Sequence, residues 1–185
     1  MRRLCLLSVL IISHPLTALA DEGVGRWYLN PYFGGIAPDK PWGGNGSALL
    51  YGLDIGTNFS AAWSAEFDMN GASLSDRYGA GRINLYGGAV TLRRTFDRST
   101  RFAPYVSFGA GLTHLAPPPA IPLEGRTEFM AQPAIGAIVR LGESSAGSRT
   151  LALRPDVKVR WTHGWAHAPG NPVDVVYALG LTLAF

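Results

Sequence analysis

The most constraining feature of this chain is a strict alternation of side-chain character between residues 151 and 162. Apolar residues, from Leu151 to Trp161, occupy every second position. The positions between them carry mostly charged residues, namely Arg154, Asp156, Lys158 and Arg160. A β-strand places successive side chains on opposite faces, whereas a helix would scatter this pattern around its axis. The segment is therefore predicted to be a strand with one apolar and one charged face.

The same period of two recurs along the chain and predicts eight strands. Their lengths are close to the roughly 9–11 residues with which a tilted strand crosses a bilayer. The predicted strands are 26–36, 47–58, 63–72, 82–96, 102–113, 128–141, 149–163 and 174–185. In the fourth strand the phase is ambiguous, and the pair Gly87-Gly88 suggests a bulge that changes which side faces outward.

The connections between the predicted strands alternate in length and composition. Those at 58–62, 97–101 and 142–148 are short and polar or rich in Gly and Ser. The others are mostly longer and contain many Gly, Pro and Asn residues. Short turns at one end and long loops at the other are typical of barrels that cross the bacterial outer membrane.

The distribution of polarity distinguishes a membrane barrel from a soluble one. A soluble barrel has an apolar interior and a charged exterior. Here one face is aromatic and aliphatic, and the other combines glycine and small residues with four negative and four positive charges. Such a face suits a narrow lumen in which opposite charges pair, because an unpaired buried charge costs several kcal/mol. The candidate luminal charges are Asp54, Glu66, Asp68, Arg140, Arg154, Asp156, Lys158 and Arg160.

We therefore predict an all-β fold, an eight-stranded antiparallel transmembrane up-and-down β-barrel. The alternative is a soluble exported β domain, in which the charged face would simply be solvated. Within the barrel, Glu66 and Asp68 could pair across the lumen with Arg154, Lys158 or Arg160. Such pairs could act as a gate or as a permanent structural network, and we favour the network.

The N-terminus has the order of regions found in a secretory signal peptide. Arg2 and Arg3 precede an apolar run over 4–12, and Ala18-Leu19-Ala20 forms a cleavage site. We expect a signal peptide at 1–20 and a barrel domain at 21–185. The single cysteine, Cys5, lies in the signal, so the mature chain is expected to contain neither disulfides nor cysteine metal sites.

The charge balance gives no support to a nucleic-acid partner. The chain has 16 Lys and Arg residues against 13 Asp and Glu, and two of the basic residues belong to the predicted signal. A nearly neutral chain of mixed sign lacks the basic patch that binds nucleic acid.

Two sets of residues resemble a known family. The C-terminal pattern looks like the strand signal that the outer-membrane assembly machinery reads, and consists of Tyr177, Leu179, Leu181, Leu183 and Phe185. The segments 26–31, 51–56 and 63–67, with the sequences RWYLNP, YGLDIG and WSAEF, resemble the OmpA-like eight-stranded outer-membrane barrels. The resemblance covers essentially all of 21–185 and concerns the barrel domain only.

This resemblance implies a location in the outer membrane of a Gram-negative bacterium. It implies a structural role in envelope integrity, together with weak solute passage or adhesion through extracellular loops. The implied partners are outer-membrane lipid and lipopolysaccharide, the assembly machinery and periplasmic chaperones. We expect a monomer without a cofactor.

One enzymatic alternative rests on two histidines. His163 and His167 precede Asn171 and Asp174, and small barrels of the lipid A deacylase family carry a His, Ser and acid group at a similar depth. That family has a serine two residues after its histidine, where this chain has Trp165. Hydrolysis of lipid A or phospholipid therefore remains the alternative, and no enzymatic activity is the expectation.

A metal site at the histidines is also not expected. His163 and His167 have a spacing of four, which forms a ligand pair on a helix. The segment is predicted to be a strand followed by a loop, and His114 lies far away in the sequence.

Overall fold

The computed structural model describes residues 26–38, 48–75, 82–116, 125–143, 150–163 and 173–185. The predicted signal peptide at 1–20 lies outside these residues, as do Trp165, His167 and Asn171. The described residues form β1 (Trp27–Ala37), β2 (Ala48–Asn58), β3 (Trp63–Ser75), β4 (Arg82–Thr95), β5 (Phe102–Ala116), β6 (Arg126–Glu143), β7 (Thr150–His163) and β8 (Val173–Ala184).

Each strand pairs antiparallel with the next one, and β1 pairs with β8 to close the barrel. Closure leaves no strand edge unpaired. No helix in the described segments has the length and apolarity to cross a membrane. The predicted eight-stranded antiparallel barrel is thus confirmed. Three strands extend by two or more residues beyond their predicted bounds: β3 to Ser75, β5 to Ala116, and β6 from Arg126 to Glu143.

The fourth strand is regular, so the predicted bulge at Gly87-Gly88 is wrong. The register with β3 runs from Ser75–Arg82 to Trp63–Arg94 without a shift. A Cβ at Gly87 would lie 2.7 Å from the amide oxygen of Asn70, so this glycine makes room for a luminal side chain. Within the described strands, a register shift instead lies between Arg140 and Gly142, where β6 pairs with β7.

The two faces of the barrel have the polarity predicted from the sequence. Large apolar side chains point outward and are exposed, as with Phe33 at 62 % and Leu49 at 70 %. Charged side chains point inward and are buried, as with Asp54 at 1 % and Arg154 at 2 %. Burial and hydrophobicity are therefore opposed, which is the reverse of a water-soluble protein.

Glycines make room for the tyrosines of the barrel wall. Each inward tyrosine lies directly opposite a glycine of the neighbouring strand, and its ring occupies the space that a Cβ would need. The inward pairs are Tyr28 with Gly56, Tyr32 with Gly52, and Tyr105 with Gly136. On the outer face, Tyr177 covers Gly35 in the same way. These glycines are required by close approach, because any side chain would displace a ring.

The lumen contains two layers of different chemistry. The charged layer lies towards the short turns. Towards the long loops, an apolar layer from β1–β5 and β8 lies beside the buried charges Glu128, Arg160 and Asp174 of β6–β8. This layer was not predicted, and two of its members, Leu74 and Leu115, fall in the unpredicted extensions of β3 and β5. The apolar layer consists of Tyr32, Ile36, Leu50, Ala72, Leu74, Ile83, Leu85, Leu115 and Val176.

Candidate functional site: the luminal charge network

The charged layer joins strands from opposite sides of the barrel. β3 carries Glu66 and Asp68, and β7 carries Arg154 and Lys158. In the closed order of eight strands, β3 and β7 are four strands apart in either direction. The alternation within each strand turns these side chains inward, and barrel closure places them face to face.

Glu66 is the centre of the network. Its Oε1 forms an ion pair with Nη1 of Arg93 at 2.5 Å and accepts from the Tyr28 hydroxyl at 2.9 Å. Its Oε2 accepts from Nη2 of Arg154 at 2.9 Å. Both carboxylate oxygens are thus occupied by charged or hydroxyl donors, which is the condition for burying a carboxylate without a large desolvation cost.

Arg154 connects Glu66 to two further carboxylates. Its Nη1 lies 3.3 Å from Oδ2 of Asp54, and its Nε lies 3.9 Å from Oδ2 of Asp156. The same Nε donates to the Tyr105 hydroxyl at 3.0 Å, and that hydroxyl donates to Asp156 at 3.0 Å. One guanidinium therefore links β2, β3, β5 and its own strand β7.

Asp68 forms a second centre nearer the apolar layer. Its Oδ2 accepts from Nζ of Lys158 at 2.9 Å and from the Gln132 amide at 3.0 Å. Its Oδ1 accepts from the Tyr32 hydroxyl at 2.6 Å and from the Asn70 amide at 3.1 Å. Four donors from four different strands thus converge on one carboxylate.

Three tyrosines repeat one arrangement within the network. In each, the hydroxyl donates to a carboxylate, and a cation lies against the ring. The cation–centroid distances are 5.0 Å for Arg93 on Tyr28, 4.7 Å for Lys158 on Tyr32 and 5.1 Å for Arg154 on Tyr105. Each ring therefore shields a charge pair and adds a cation–π contact.

Two predicted luminal charges lie at the margins. Arg160 is buried and donates to the Asn70 amide oxygen at 2.9 Å, and it is opposite Asp174 in the register of β7 and β8. Arg140 lies apart from the buried carboxylates. It stands at the register shift of β6, and its guanidinium donates to the backbone carbonyl of Arg98 in the turn after β4. Its position at the end of the barrel explains this separation.

Arg93 and the tyrosines of the network were not predicted. Arg93 was missed because the phase of β4 was ambiguous around its two glycines. Thr95 points inward, and a residue two positions away on the same strand points to the same side. This rule places Arg93 on the inner face. The buried charged residues among those described are six carboxylates and four cations, namely Asp54, Glu66, Asp68, Glu128, Asp156, Asp174, Arg93, Arg154, Lys158 and Arg160, so the expected balance of four against four does not hold.

The histidines lie on the outer wall near the long loops. His163 is exposed, and its ring stacks on Trp161 with centroids 5.7 Å apart. His114 contacts the Thr127 hydroxyl at 2.9 Å. The strand β6 separates these two histidines, so their backbones are about 10 Å or more apart. Among the described residues, no group of His, Cys, Asp or Glu has a geometry that could hold a metal ion.

The residues of the predicted assembly signal share the outward face of the last strand. All five are exposed, from 39 % for Leu179 to 53 % for Phe185. The backbone N–H of Phe185 donates to the carbonyl of Trp27 at 2.9 Å. The C-terminal residues therefore take part in the closure between β8 and β1.

The comparisons with known proteins concern structure alone. No family model matches the chain, and no curated protein matches it in sequence. Similar solved structures include Neisserial surface protein A, with 12 % identity, a TM-score of 0.64, and coverage of 86 % of this chain and 97 % of that one. The N-terminal β-barrel domain of Pseudomonas aeruginosa OprF has 14 % identity, a TM-score of 0.57, and coverage of 88 % and 99 %.

A third similar structure is Ail, the attachment invasion locus protein of Yersinia pestis. It has 10 % identity, a TM-score of 0.54, and coverage of 88 % of this chain and 99 % of that one. Identities this low carry information about the fold only. The alignments nevertheless cover nearly the whole of each similar chain, and this chain forms a closed barrel of eight strands. This chain therefore has the fold of the small eight-stranded outer-membrane β-barrels, as its resemblance to the OmpA-like barrels implied.

Proposed function

We propose that this protein is an integral barrel of the Gram-negative outer membrane with a structural role in the envelope. The observation that carries the proposal is the inverted polarity of the wall. Soluble monomers rarely expose apolar patches larger than a few hundred Å². Here large apolar side chains are exposed on all eight strands, while charged side chains fill the interior. A lipid bilayer accommodates the apolar outer face, while the charges inside pair with one another.

The filled lumen supports a structural role over that of an open pore. Side chains of the charged layer bond across the full width of the barrel, and the apolar layer is buried above them. An eight-stranded barrel has an interior only wide enough for side chains. Solute passage would require several of these contacts to break together.

Adhesion through the loops is the second part of this proposal. The long connections leave the barrel at the end of the apolar layer, opposite the short turns. One protein of the same fold is named for attachment and invasion, and another is named a surface protein. By analogy, the loop end would face outward into lipopolysaccharide. The assembly machinery and periplasmic chaperones would be partners during export, and the barrel would act as a monomer.

Membrane fractionation and a heat-modifiability gel test this proposal. The protein should fractionate with outer membranes, resist extraction by carbonate, and migrate differently before and after boiling. Recovery from the soluble periplasmic fraction would contradict it. The hydrolase alternative is tested separately, by incubating the refolded barrel with lipid A and with phospholipid and measuring released fatty acid by mass spectrometry. We expect no release.

A further inference from the structure

Near the short turns, a cation lies on the outer, apolar face of the wall. Arg94 is the penultimate residue of β4, close to the short turn that follows this strand. It has the same parity as Leu92 and Phe96, both of which point outward and are exposed. Arg93, one residue earlier, points inward into the charge network. Arg94 therefore belongs to the surface that the proposed function places in lipid.

The surroundings of Arg94 are apolar in every direction along the sheet. Its register partners are Trp63 on β3 and Val106 on β5. Its neighbours on the same face of β4 are Leu92 and Phe96. No carboxylate faces it from these strands. Among the described residues, its guanidinium has ring contacts but neither a hydrogen bond nor an ion pair.

Two aromatic rings hold the guanidinium. Its central carbon lies 5.7 Å from the Trp63 ring centroid and 5.3 Å from that of Phe96. Trp63 begins β3, and Phe96 follows the end of β4, so both rings mark the boundary of the strands. Tryptophan at this level of a barrel sits among lipid headgroups. The two rings therefore fix a guanidinium at the depth of the headgroups.

We propose that Arg94, Trp63 and Phe96 form a binding site for the phosphate of a glycerophospholipid in the periplasmic leaflet. Arg94 would donate two hydrogen bonds to the phosphodiester oxygens, a geometry that guanidinium fits better than ammonium does. The exposed side chains of Leu92 and its register partner Phe108 lie further towards the middle of the wall, where the acyl chains would pack. The inference rests on the proposed membrane location.

Charge complementarity selects the occupant. The site has one positive charge, five N–H donors and an apolar surround, so it requires an anion that carries hydrocarbon. A phospholipid headgroup meets both requirements. A free phosphate ion meets only the first, because it cannot cover the apolar residues around the guanidinium.

Native mass spectrometry tests this site. The purified full-length barrel in detergent would be titrated with phosphatidylglycerol, and the affinity of the first lipid adduct measured. For Arg94→Gln we expect a loss of affinity of about tenfold, the scale of one strong charge-assisted contact. Arg94→Lys should retain part of the affinity, because it keeps the charge but loses the bidentate fork. Arg101→Gln is the matched control, since Arg101 lies at the same end and donates to the Arg140 carbonyl.

The outcomes separate this inference from the proposed function. Equal lipid affinity of the wild type and Arg94→Gln, with both folded by the heat-modifiability gel, would overturn the lipid site and leave the membrane barrel intact. Displacement of the lipid by millimolar inorganic phosphate would also overturn it, since the site would then recognise the ion alone. Failure of the wild type to insert into phospholipid vesicles would instead contradict the membrane location. A selective loss in Arg94→Gln supports the inference.

Discussion

At the scale of single residues, Glu66 is the carboxylate that pairs with two buried guanidinium groups. It forms ion pairs with Arg93 and Arg154 and accepts a hydrogen bond from the Tyr28 hydroxyl. Replacing it by glutamine would leave two buried guanidinium groups without their shared countercharge. Because glutamine has nearly the same volume as glutamate, this substitution measures the cost of the lost charge with little change in packing.

We predict that Glu66→Gln destabilises the barrel by about 3–5 kcal/mol, the usual effect of removing one partner of a buried pair. The double variant Glu66→Gln/Arg93→Gln should recover part of this loss, because it removes the guanidinium whose ion pair is with Glu66, whereas Arg154 keeps Asp54 and Asp156 nearby. Urea-induced unfolding in phospholipid vesicles, followed by tryptophan fluorescence, measures both. Equal stability of the single variant and the wild type would show that the pairs contribute nothing.

A second residue-scale prediction concerns the hydroxyl of Tyr105. It accepts from Arg154 and donates to Asp156, so Tyr105→Phe leaves both groups short of a buried partner. The expected destabilisation is about 1–3 kcal/mol. Tyr86→Phe is the control, since Tyr86 points outward and is half exposed. A similar change in both variants would mean that the luminal position of the hydroxyl is irrelevant.

At the scale of strands, the tyrosine and glycine pairs hold the register. Each pair places a ring across the neighbouring strand at a directly opposed position. A slip by one residue would bring each ring against a residue that has a side chain and would turn the charged face outward. The pairs and the charges therefore favour the same register.

We predict that Gly52→Ala lowers the melting temperature of the barrel. Its Cβ would meet the Tyr32 ring and would lie 2.6 Å from the Met69 carbonyl oxygen. Overpacking of this kind costs about 1–3 kcal/mol. Gly142→Ala is the control, because a Cβ there has no neighbour within 4 Å. The temperature at which the folded gel band disappears measures both variants, and equal temperatures would remove the role assigned to Gly52.

The last strand carries a prediction about assembly rather than stability. Phe185→Ala should reduce the amount of folded protein in the outer membrane severalfold, if the outward residues of β8 are the signal that the assembly machinery reads. Phe59→Ala is the matched control, because Phe59 is 52 % exposed and Phe185 is 53 % exposed. Quantitative immunoblotting of outer membranes compares them. Equal amounts of both variants would contradict the signal.

At the scale of the whole molecule, the two luminal layers bear on conduction. We predict that the wild-type barrel shows no stable open-channel conductance in planar bilayers. Glu66→Gln should remain closed, because the Asp68–Lys158 pair and the apolar layer stay in place. A stable conductance that appears only in Glu66→Gln would support the gate and contradict the permanent network.

Much of the architecture could be predicted from the local alternation of side chains in the sequence. The strand number, the short and long connections and the polarity of the two faces were all readable, because a period of two is a property of each strand alone. The same reasoning placed Glu66, Asp68, Arg154 and Lys158 on the inner face. It failed in β4, where Gly87 and Gly88 carry no side chain to reveal the phase, and Arg93 was lost with it.

The sequence by itself thus determined that this chain forms a barrel with an apolar outside and a charged inside. Only the tertiary structure decided which charges meet, since Glu66 and Arg154 lie 88 residues apart and on opposite walls. It also showed that Arg93, and not Arg140, belongs to the buried charge network. It revealed the apolar layer on the side of the long loops as well. The physical reason is that alternation fixes the side to which a residue points, whereas its partner depends on the register of all eight strands together.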